Sequence, residues 1–419
     1  MVALRVIYVV KASFPTSVCE EFAMNFDNDQ KARDFRIKVR AFLRTNWQSH
    51  PSNGKLRYPS RESFRTGSAI LKESGWLAPN WPRRWGGAEL SPVERYVLEE
   101  ELVAVRFPPI DRIAFDLAGP VIYTFGSTEQ KARYLPNMLS GNEFWCQGFS
   151  EPESGSDVNS LRTSATRDGN VYIVEGRKIW TSNAHFADMM FALVKVKTGG
   201  KLQNGLTFIL IDMQDPNVSV RPLATIDGRR HLNEVSLDKV RVPTTNVVGE
   251  IGRGWSNARF LLANERVLVS QVPRTRQILS RVKRWASLAQ QNNRSLIMEP
   301  GFKQRLAQAE IDLFALEFTV LRVLYASENN PTDGLTSVVK LRGAELRQRV
   351  SELAVEVVGD RGLILEGNVE GPESGDDLPQ APDCVPGIAN EYLFNLSLSI
   401  AGGTSEIQRN LIASLTLGL

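Results

Sequence analysis

The most pointed chemistry in the chain belongs to a carboxylate, Glu265. In the run 260–270 the residues three and four positions away are Leu261, Leu262, Leu268 and Val269. An α-helix through this run therefore projects Glu265 from its apolar face. Burying a carboxylate is costly and raises its pKa. A raised pKa suits a general base that must take a proton from a weak carbon acid. A buried structural ion pair, with Arg266 as the adjacent cation, would explain the same placement.

Three further segments could bind a cofactor. Residues 149–157 read Phe-Ser-Glu-Pro-Glu-Ser-Gly-Ser-Asp. Small hydroxyl residues and glycine around a proline fix a turn whose backbone N–H groups can face an acceptor, such as a flavin ring atom or a phosphate. An ordinary surface turn has the same composition. Residues 176–183, Gly-Arg-Lys-Ile-Trp-Thr-Ser-Asn, follow a strand pattern and set Trp180 beside two hydroxyls. An indole there could stack on a flat ring while Thr181 and Ser182 reach its edge, or it could be a core tryptophan at a strand end. Residues 401–410, Ala-Gly-Gly-Thr-Ser-Glu-Ile-Gln-Arg-Asn, read as a helix start with Thr404 or Ser405 as cap. Free amides at such a start can hold a pyrophosphate or ribose, and equally can be structural.

The elements that must position these residues come in the order helices, strands, helices. From about residue 29 to 140 the spacing predicts helices, with Phe35, Val39, Phe42 and Leu43 on one stripe and Leu98, Leu102 and Val105 on another. Near residue 141 the pattern changes. Short β-branched or apolar runs at 171–176, 190–196, 206–213 and 235–242 predict a small β-domain. Residues 249–255 form a Gly-rich hinge, and the helical period returns from Ala258 to Leu415. An acidic Gly/Pro-rich stretch at 367–386 interrupts it and predicts a surface loop. The expected division is an unstructured extension at 1–23, a helical domain at 24–140, a β-domain at 141–250 and a helical domain at 251–419.

Bulk properties narrow the function. The chain has 419 residues and carries 50 Lys plus Arg against 47 Asp plus Glu. That balance gives no reason to expect nucleic-acid binding, although local basic patches for an anionic ligand remain compatible with it. Cys19, Cys146 and Cys384 are far apart, as are His50, His185 and His231. This scatter argues against a disulfide framework or a metal site and fits a reducing compartment, so a cytoplasmic location is expected. No run is apolar for the roughly 18 residues of a membrane span. The short apolar stretch at 2–10 contains Arg5 and makes a poor signal peptide, and Met24 opens a normal helical pattern.

Taken together in this order, the motifs resemble the acyl-CoA dehydrogenase family from about residue 29 to the C-terminus. Residues 119–136, with Gly-Ser-Thr-Glu-Gln-Lys and Tyr-Leu-Pro, are similar to that family's N-terminal domain. Residues 150–157 resemble its first signature, 176–183 its flavin-stacking segment, 238–243 with 249–255 its domain junction, and 402–410 its C-terminal signature. The resemblance implies an α+β fold: an N-terminal helical domain, a central β-barrel-like domain and a C-terminal four-helix bundle, with FAD between the last two. It implies that Gln147, Phe149 and Ser150 meet the flavin pyrimidine edge. Trp180, Thr181 and Ser182 should pack on the ring, and Ser156 should touch the pantetheine of coenzyme A. Thr404, Glu406, Glu356 and Gly359 should face the adenosine and pyrophosphate part of FAD. The implied reaction takes a proton from the α-carbon and a hydride from the β-carbon of an acyl-CoA, giving the trans-2-enoyl-CoA. The implied electron acceptor is an electron-transfer flavoprotein or a similar carrier.

Two departures refine the resemblance. Many members place the base directly before the final Gly-Thr; here that position is Gly402. A minority carry it in a Leu-x-x-Glu-Arg pattern, which this chain has at 262–266, so pattern and apolar spacing converge on Glu265 as base with Arg266 beside the substrate. The family's Arg-x-x-Phe-Gly, which serves the FAD pyrophosphate of a neighbouring subunit, is absent; its place falls near Gln291 and Arg294. That absence and the long acidic loop resemble a bacterial subgroup acting on bulky acyl chains, such as steroid side chains or dicarboxylates. Members of it form homo-oligomers or α2β2 assemblies. Two rivals share the scaffold: a flavin oxidase or monooxygenase, and a non-catalytic partner subunit of a heteromeric dehydrogenase.

Overall fold

The computed structural model describes residues 29–47, 60–198, 201–202, 205–265, 270–291, 294–326, 333–360 and 387–419. The expectations for 1–23, the acidic stretch 367–386 and Arg266 lie outside the described residues, as do the side chains of Leu262, Glu265 and Gln291.

Local signals start the N-terminal helices. α1 (Gln30–Asn46) is capped by the Asp29 carboxylate, which accepts from Ala32 N–H, and it buries the stripe Ala32, Phe35, Val39 and Leu43. α2 (Arg61–Ser74) opens on a capping box between Ser60 and Ser63 and ends at Gly75, whose φ is 75°. α3 (Pro92–Ala104) opens on the Ser91–Glu94 capping box. A π-type turn over Ile113–Ala118 runs into α4 (Gly119–Phe125), and α5 (Thr128–Ser140) follows. Trp81 is the hub of this layer. Its buried indole donates to the Phe115 carbonyl at 2.7 Å. A Cβ on Gly119 would lie 1.9 Å from the Trp81 ring, so only glycine permits this approach.

The strands are β1 (Trp145–Gly148), β2 (Ser164–Asp168), β3 (Val171–Ser182), β4 (Met189–Thr198), β5 (Lys201–Leu202), β6 (Thr207–Asp212), β7 (Val218–Leu223) and β8 (Leu232–Pro243). They form one sheet in the order β1-β4-β2-β3-β8-β7, with β5 and β6 also paired to β4. β4 serves both halves: residues 189–194 pair with β6, and residues 195–197 pair with β2. The sheet therefore curls over its own core of Tyr172, Val174, Met190, Val194, Ile209 and Val235 into a half-barrel. β3 is longer than the sequence pattern predicts. The alternation of 171–176 does not stop; it is broken by register shifts at Val174/Gly176 and Lys178/Thr181 and continues to Ser182. Residues 176–182 are thus part of the strand rather than a segment after it.

α6 (Gly254–Glu265) leads into the last layer. α7 (Val272–Leu288), α8 (Pro300–Tyr325), α9 (Asp333–Val358), α10 (Ile388–Leu396) and α11 (Ser405–Ile412) follow. α9 packs against each of the other four. Val282, Phe302, Val320, Val339 and Val350 lie at the centre of this core.

Candidate active site

β1 brings Gln147, half-buried, to the point where the chain leaves the sheet. Phe149 then turns inward and packs edge-on against Phe191 and Phe208, at 5.7 and 6.4 Å between ring centroids. The Ser150 carbonyl accepts from Ile179 N–H at 2.9 Å, which ties the loop 149–157 to β3. Glu151 and Ser154 exchange backbone hydrogen bonds of 2.7 and 3.0 Å and close the loop on itself. Ser156 stands exposed on its outer arc.

The loop is held from beneath by a buried ion pair that the sequence reading did not single out. Lys178 is wholly buried; its Nζ donates to Glu151 Oε1 at 2.8 Å, to the Leu193 carbonyl at 2.8 Å and to the Phe149 carbonyl at 3.3 Å. Glu151 also accepts from the backbone N–H groups of Arg162 and Thr163 at 2.6 and 3.0 Å. Burial pushes the Lys178 ammonium down to about 8, because it outweighs the attraction of Glu151. For Glu151 burial acts upward, but Lys178 and the N–H donors overcome it and hold the carboxyl below its ordinary range. The two directions differ because Lys178 is the more enclosed partner; the donor-rich setting of Glu151 keeps the pair ionic near neutrality. The signal was an inward-facing lysine in an alternating strand, hidden by the two bulges.

Trp180 is the second feature. Its φ is 60°, an unfavourable value for a residue with a Cβ, and its side chain is 57% exposed. Beside it the Thr181 hydroxyl is buried without a hydrogen-bond partner among the described residues, while the Thr181 carbonyl accepts from Asn233 Nδ2 at 2.9 Å. Ser182 is half-buried opposite Leu232. Backbone strain that holds a large apolar ring in solvent, next to an unsatisfied hydroxyl, is the arrangement a flat ring with polar edge atoms would complete. These residues fit a flavin.

α6 packs on the π turn and on β6, with Leu261 fully buried and Phe260 edge-on to Phe125 at 5.2 Å. Glu265 is its last residue. Asp111, at the head of the π turn, accepts from Trp145 N–H at 2.8 Å and Ala114 N–H at 3.1 Å, which locks β1 to that turn. Burial pushes its carboxyl up to about 7.

At the C-terminal end Gly402 and Gly403 have φ of 69° and 89°. Lys340 of α9 is buried and donates to the Leu398 and Gly403 carbonyls at 3.0 and 2.6 Å, which fixes the glycine turn. Thr404 is the cap of α11 and accepts from Ile407 N–H at 3.2 Å; Glu406 lies exposed in the first turn, 3.5 Å from Arg409. Its own backbone N–H and Thr404 hold the Glu406 carboxyl low. Glu356 is ion-paired to Arg305, and Gly359 has φ of 60°. Arg294 is exposed in a two-residue ladder opposite Gln291. Among the described residues no His, Cys, Asp and Glu group could hold a metal, and no helix is long and apolar enough to cross a membrane.

A helical layer, a curled sheet and a second helical layer that carry such a platform are what a flavoenzyme of the dehydrogenase type would need. The N-terminal, middle and C-terminal domain models of acyl-CoA dehydrogenase match residues 29–142, 146–240 and 252–416. The chain is 32% identical to the acyl-CoA dehydrogenase IpdE1 of Mycobacterium tuberculosis, over 93% of this chain and 98% of that one. It is 31% identical to FadE29 of the same organism, over 84% and 87%. Among solved structures, the Tcur3481-Tcur3483 steroid acyl-CoA dehydrogenase superposes with a TM-score of 0.79 at 27% identity, covering 94% of this chain and 99% of that one. The ChsE4-ChsE5 complex from Mycobacterium tuberculosis superposes with a TM-score of 0.78 at 25% identity, over 94% and 99%. The chain belongs to the acyl-CoA dehydrogenase family and is an oxidoreductase.

Proposed function

We propose that this chain oxidises a bulky acyl-CoA to its trans-2-enoyl-CoA, with Glu265 as the base. The observation that carries the reading is the strained, exposed Trp180 beside the Thr181 hydroxyl, which has no hydrogen-bond partner among the described residues. FAD, when bound, supplies the hydride acceptor at flavin N5. Trp180 would cover one face of the ring, Thr181 and Ser182 would donate at its edge, and the loop around Gln147, Phe149 and Ser150 would meet the pyrimidine side. Thr404, Glu406, Glu356 and Gly359 would serve the adenosine and pyrophosphate end, and Ser156 and Arg266 would serve the substrate.

Glu265 removes the α-proton as the base at the end of α6, and the apolar spacing of that helix supports a carboxylate poised to do so. Gly402 offers no competing base, and its positive φ favours glycine there. The bulky substrate is supported by likeness to IpdE1 and to a steroid acyl-CoA dehydrogenase. An α2β2 assembly is supported by likeness to a two-component complex, ChsE4-ChsE5. A partner chain would then supply the arginine that this chain lacks near Gln291 and Arg294, and an electron-transfer flavoprotein or similar carrier would reoxidise the enzyme.

Stopped-flow reduction of the flavin by a panel of acyl-CoAs tests the reading. Glu265→Gln should keep flavin and acyl-CoA affinity and slow single-turnover reduction by at least about 10²-fold. Reduction at the wild-type rate in a stable, flavin-loaded Gln variant would end the base assignment.

A further inference from the structure

β3 gains a residue over β8 just where the candidate flavin face begins. Lys178 pairs with Val235 and Thr181 with Asn233, so Ile179 and Trp180 stand opposite Glu234 alone. The extra residue is a bulge and leaves the regular ladder. Ile179 N–H donates instead to the Ser150 carbonyl at 2.9 Å. Trp180 and Asn183, on either side of Thr181 and Ser182, have φ of 60° and 59°. Asn tolerates that region, whereas Trp stays there only when its surroundings over-determine it.

Asn233 of β8 touches this segment at both ends. It is fully buried, and its Nδ2 donates to the Thr181 carbonyl at 2.9 Å and to the His231 carbonyl at 3.2 Å. The His231 carbonyl also accepts from Asn183 N–H at 2.8 Å. Both neighbours of the side chain are carbonyl oxygens, so only its NH2 end can face them. The other end bears a cost: Oδ1 is buried and has no hydrogen-bond partner among the described residues. Asn is a poor strand former, and the nearby core residues of β8, Val235 and Leu237, are apolar. An apolar residue would serve stability better here, and a local rule broken in this way points to a task. Asn233 is itself anchored. The loop 224–231 that leads into β8 docks on α10, where Asn390 Nδ2 donates to the Asp227 carbonyl at 2.8 Å. The Arg229 guanidinium and the His231 ring lie 4.6 and 5.6 Å from the centroid of the Phe394 ring. The start of β8 is therefore held by the C-terminal layer as well as by the sheet.

We propose that Asn233 is a positioning residue that holds residues 180–183 in the strained conformation that receives the flavin. This rests on the flavin reading of Trp180 above. Asn233 does not meet the ring; it acts through the Thr181 carbonyl and, by way of His231, through Asn183. Without its two donations the segment can relax towards ordinary strand angles, which moves the indole and the Ser182 hydroxyl out of their set positions. Supporting groups of this kind decide whether a binding face is preformed or must be ordered by the ligand.

The test compares the full-length wild type with two variants. Asn233→Leu keeps a branched outline and removes both donations. Asn233→Thr suits a strand and keeps one hydroxyl donor, too short to bridge two carbonyls. Hydrogen exchange of the flavin-free protein reads residues 179–183 directly, with β4 and β6 as internal reference. Equilibrium FAD titration and the visible circular dichroism of the bound flavin read the consequence. In Asn233→Leu, exchange at 179–183 should be about 10-fold faster while the reference strands keep their protection. FAD should bind about 10-fold more weakly, the scale of one or two ordinary hydrogen bonds, with an altered flavin dichroism. Asn233→Thr should fall between the two and carries the test where the Leu variant does not fold. Unchanged exchange at 179–183, or protection lost evenly over the whole sheet, would overturn the proposal. Faster local exchange with unchanged FAD affinity and dichroism would support the hold on the strand and count instead against flavin binding at Trp180.

Discussion

Lys178 of β3 reaches across to Glu151 of the 149–157 loop, Nζ to Oε1 at 2.8 Å, with 0% and 6% of the two side chains exposed. The pair fastens the loop to the strand two residues before Trp180, so loop and indole are set by one interaction. Removing one partner leaves the other charged, buried and alone, which typically costs about 3–5 kcal/mol. Lys178→Met should therefore lower the melting temperature and loosen the flavin together. A variant that loses neither would show that the pair does not position the site.

The same pair predicts an acid dependence. The Glu151 carboxyl is held below its ordinary range in the fold. A carboxyl lowered on folding contributes stability above its unfolded value of about 4.3, and that stability is lost as pH falls through the folded value. Glu151→Gln should be less stable than wild type near neutrality, and the difference should narrow as pH drops below the ordinary carboxylate value. Melting curves across acid pH read this directly; parallel curves for the two proteins would contradict it.

Trp180 separates strain from binding. With φ at 60°, Trp180→Gly should relieve about 1 kcal/mol of backbone strain, whereas Trp180→Ala keeps it. Both remove the stacking surface and should weaken flavin retention by about 1–3 kcal/mol. Equilibrium flavin titration with a parallel melt of the apoproteins distinguishes the terms. Undiminished flavin affinity in both variants would argue that the indole does not touch the ring.

Gly119 tests the helical layer. An added methyl would meet the ring of the fully buried Trp81 at 1.9 Å. Gly119→Ala should destabilise by about 1–3 kcal/mol through overpacking. The expected readout is a lower denaturation midpoint with an unchanged slope; a midpoint equal to wild type would show that Trp81 can move.

Flavin content tests the proposed assembly. Purified alone, the chain should hold FAD below one per subunit, because Arg294 is exposed in a short ladder and no Arg-x-x-Phe-Gly segment is present. Co-expression with a dehydrogenase-like partner should raise the content, since charge-assisted contacts to phosphate are among the stronger hydrogen bonds. Stoichiometric FAD in a pure homo-oligomer would exclude the mixed-subunit arrangement.

Much of this was legible in the residues alone. The stripe of Phe35, Val39 and Leu43, the Ser91 start of α3, the Thr404 cap of α11 and the alternation of 235–242 are local signals, and each acts over a few residues. The family motifs are local in the same sense, so their order could be read without a fold. The full length of β3 was not legible, because its bulges at Val174/Gly176 and Lys178/Thr181 break the two-residue period by which a strand is recognised. Nor were the pairings of Lys178 with Glu151 and of Arg112 with Glu99, which join residues 27 and 13 positions apart. A charged side chain looks the same in a sequence whether water or a partner satisfies it. Only the tertiary structure decides which, because burial and the direction of a side chain depend on what the rest of the chain packs around it.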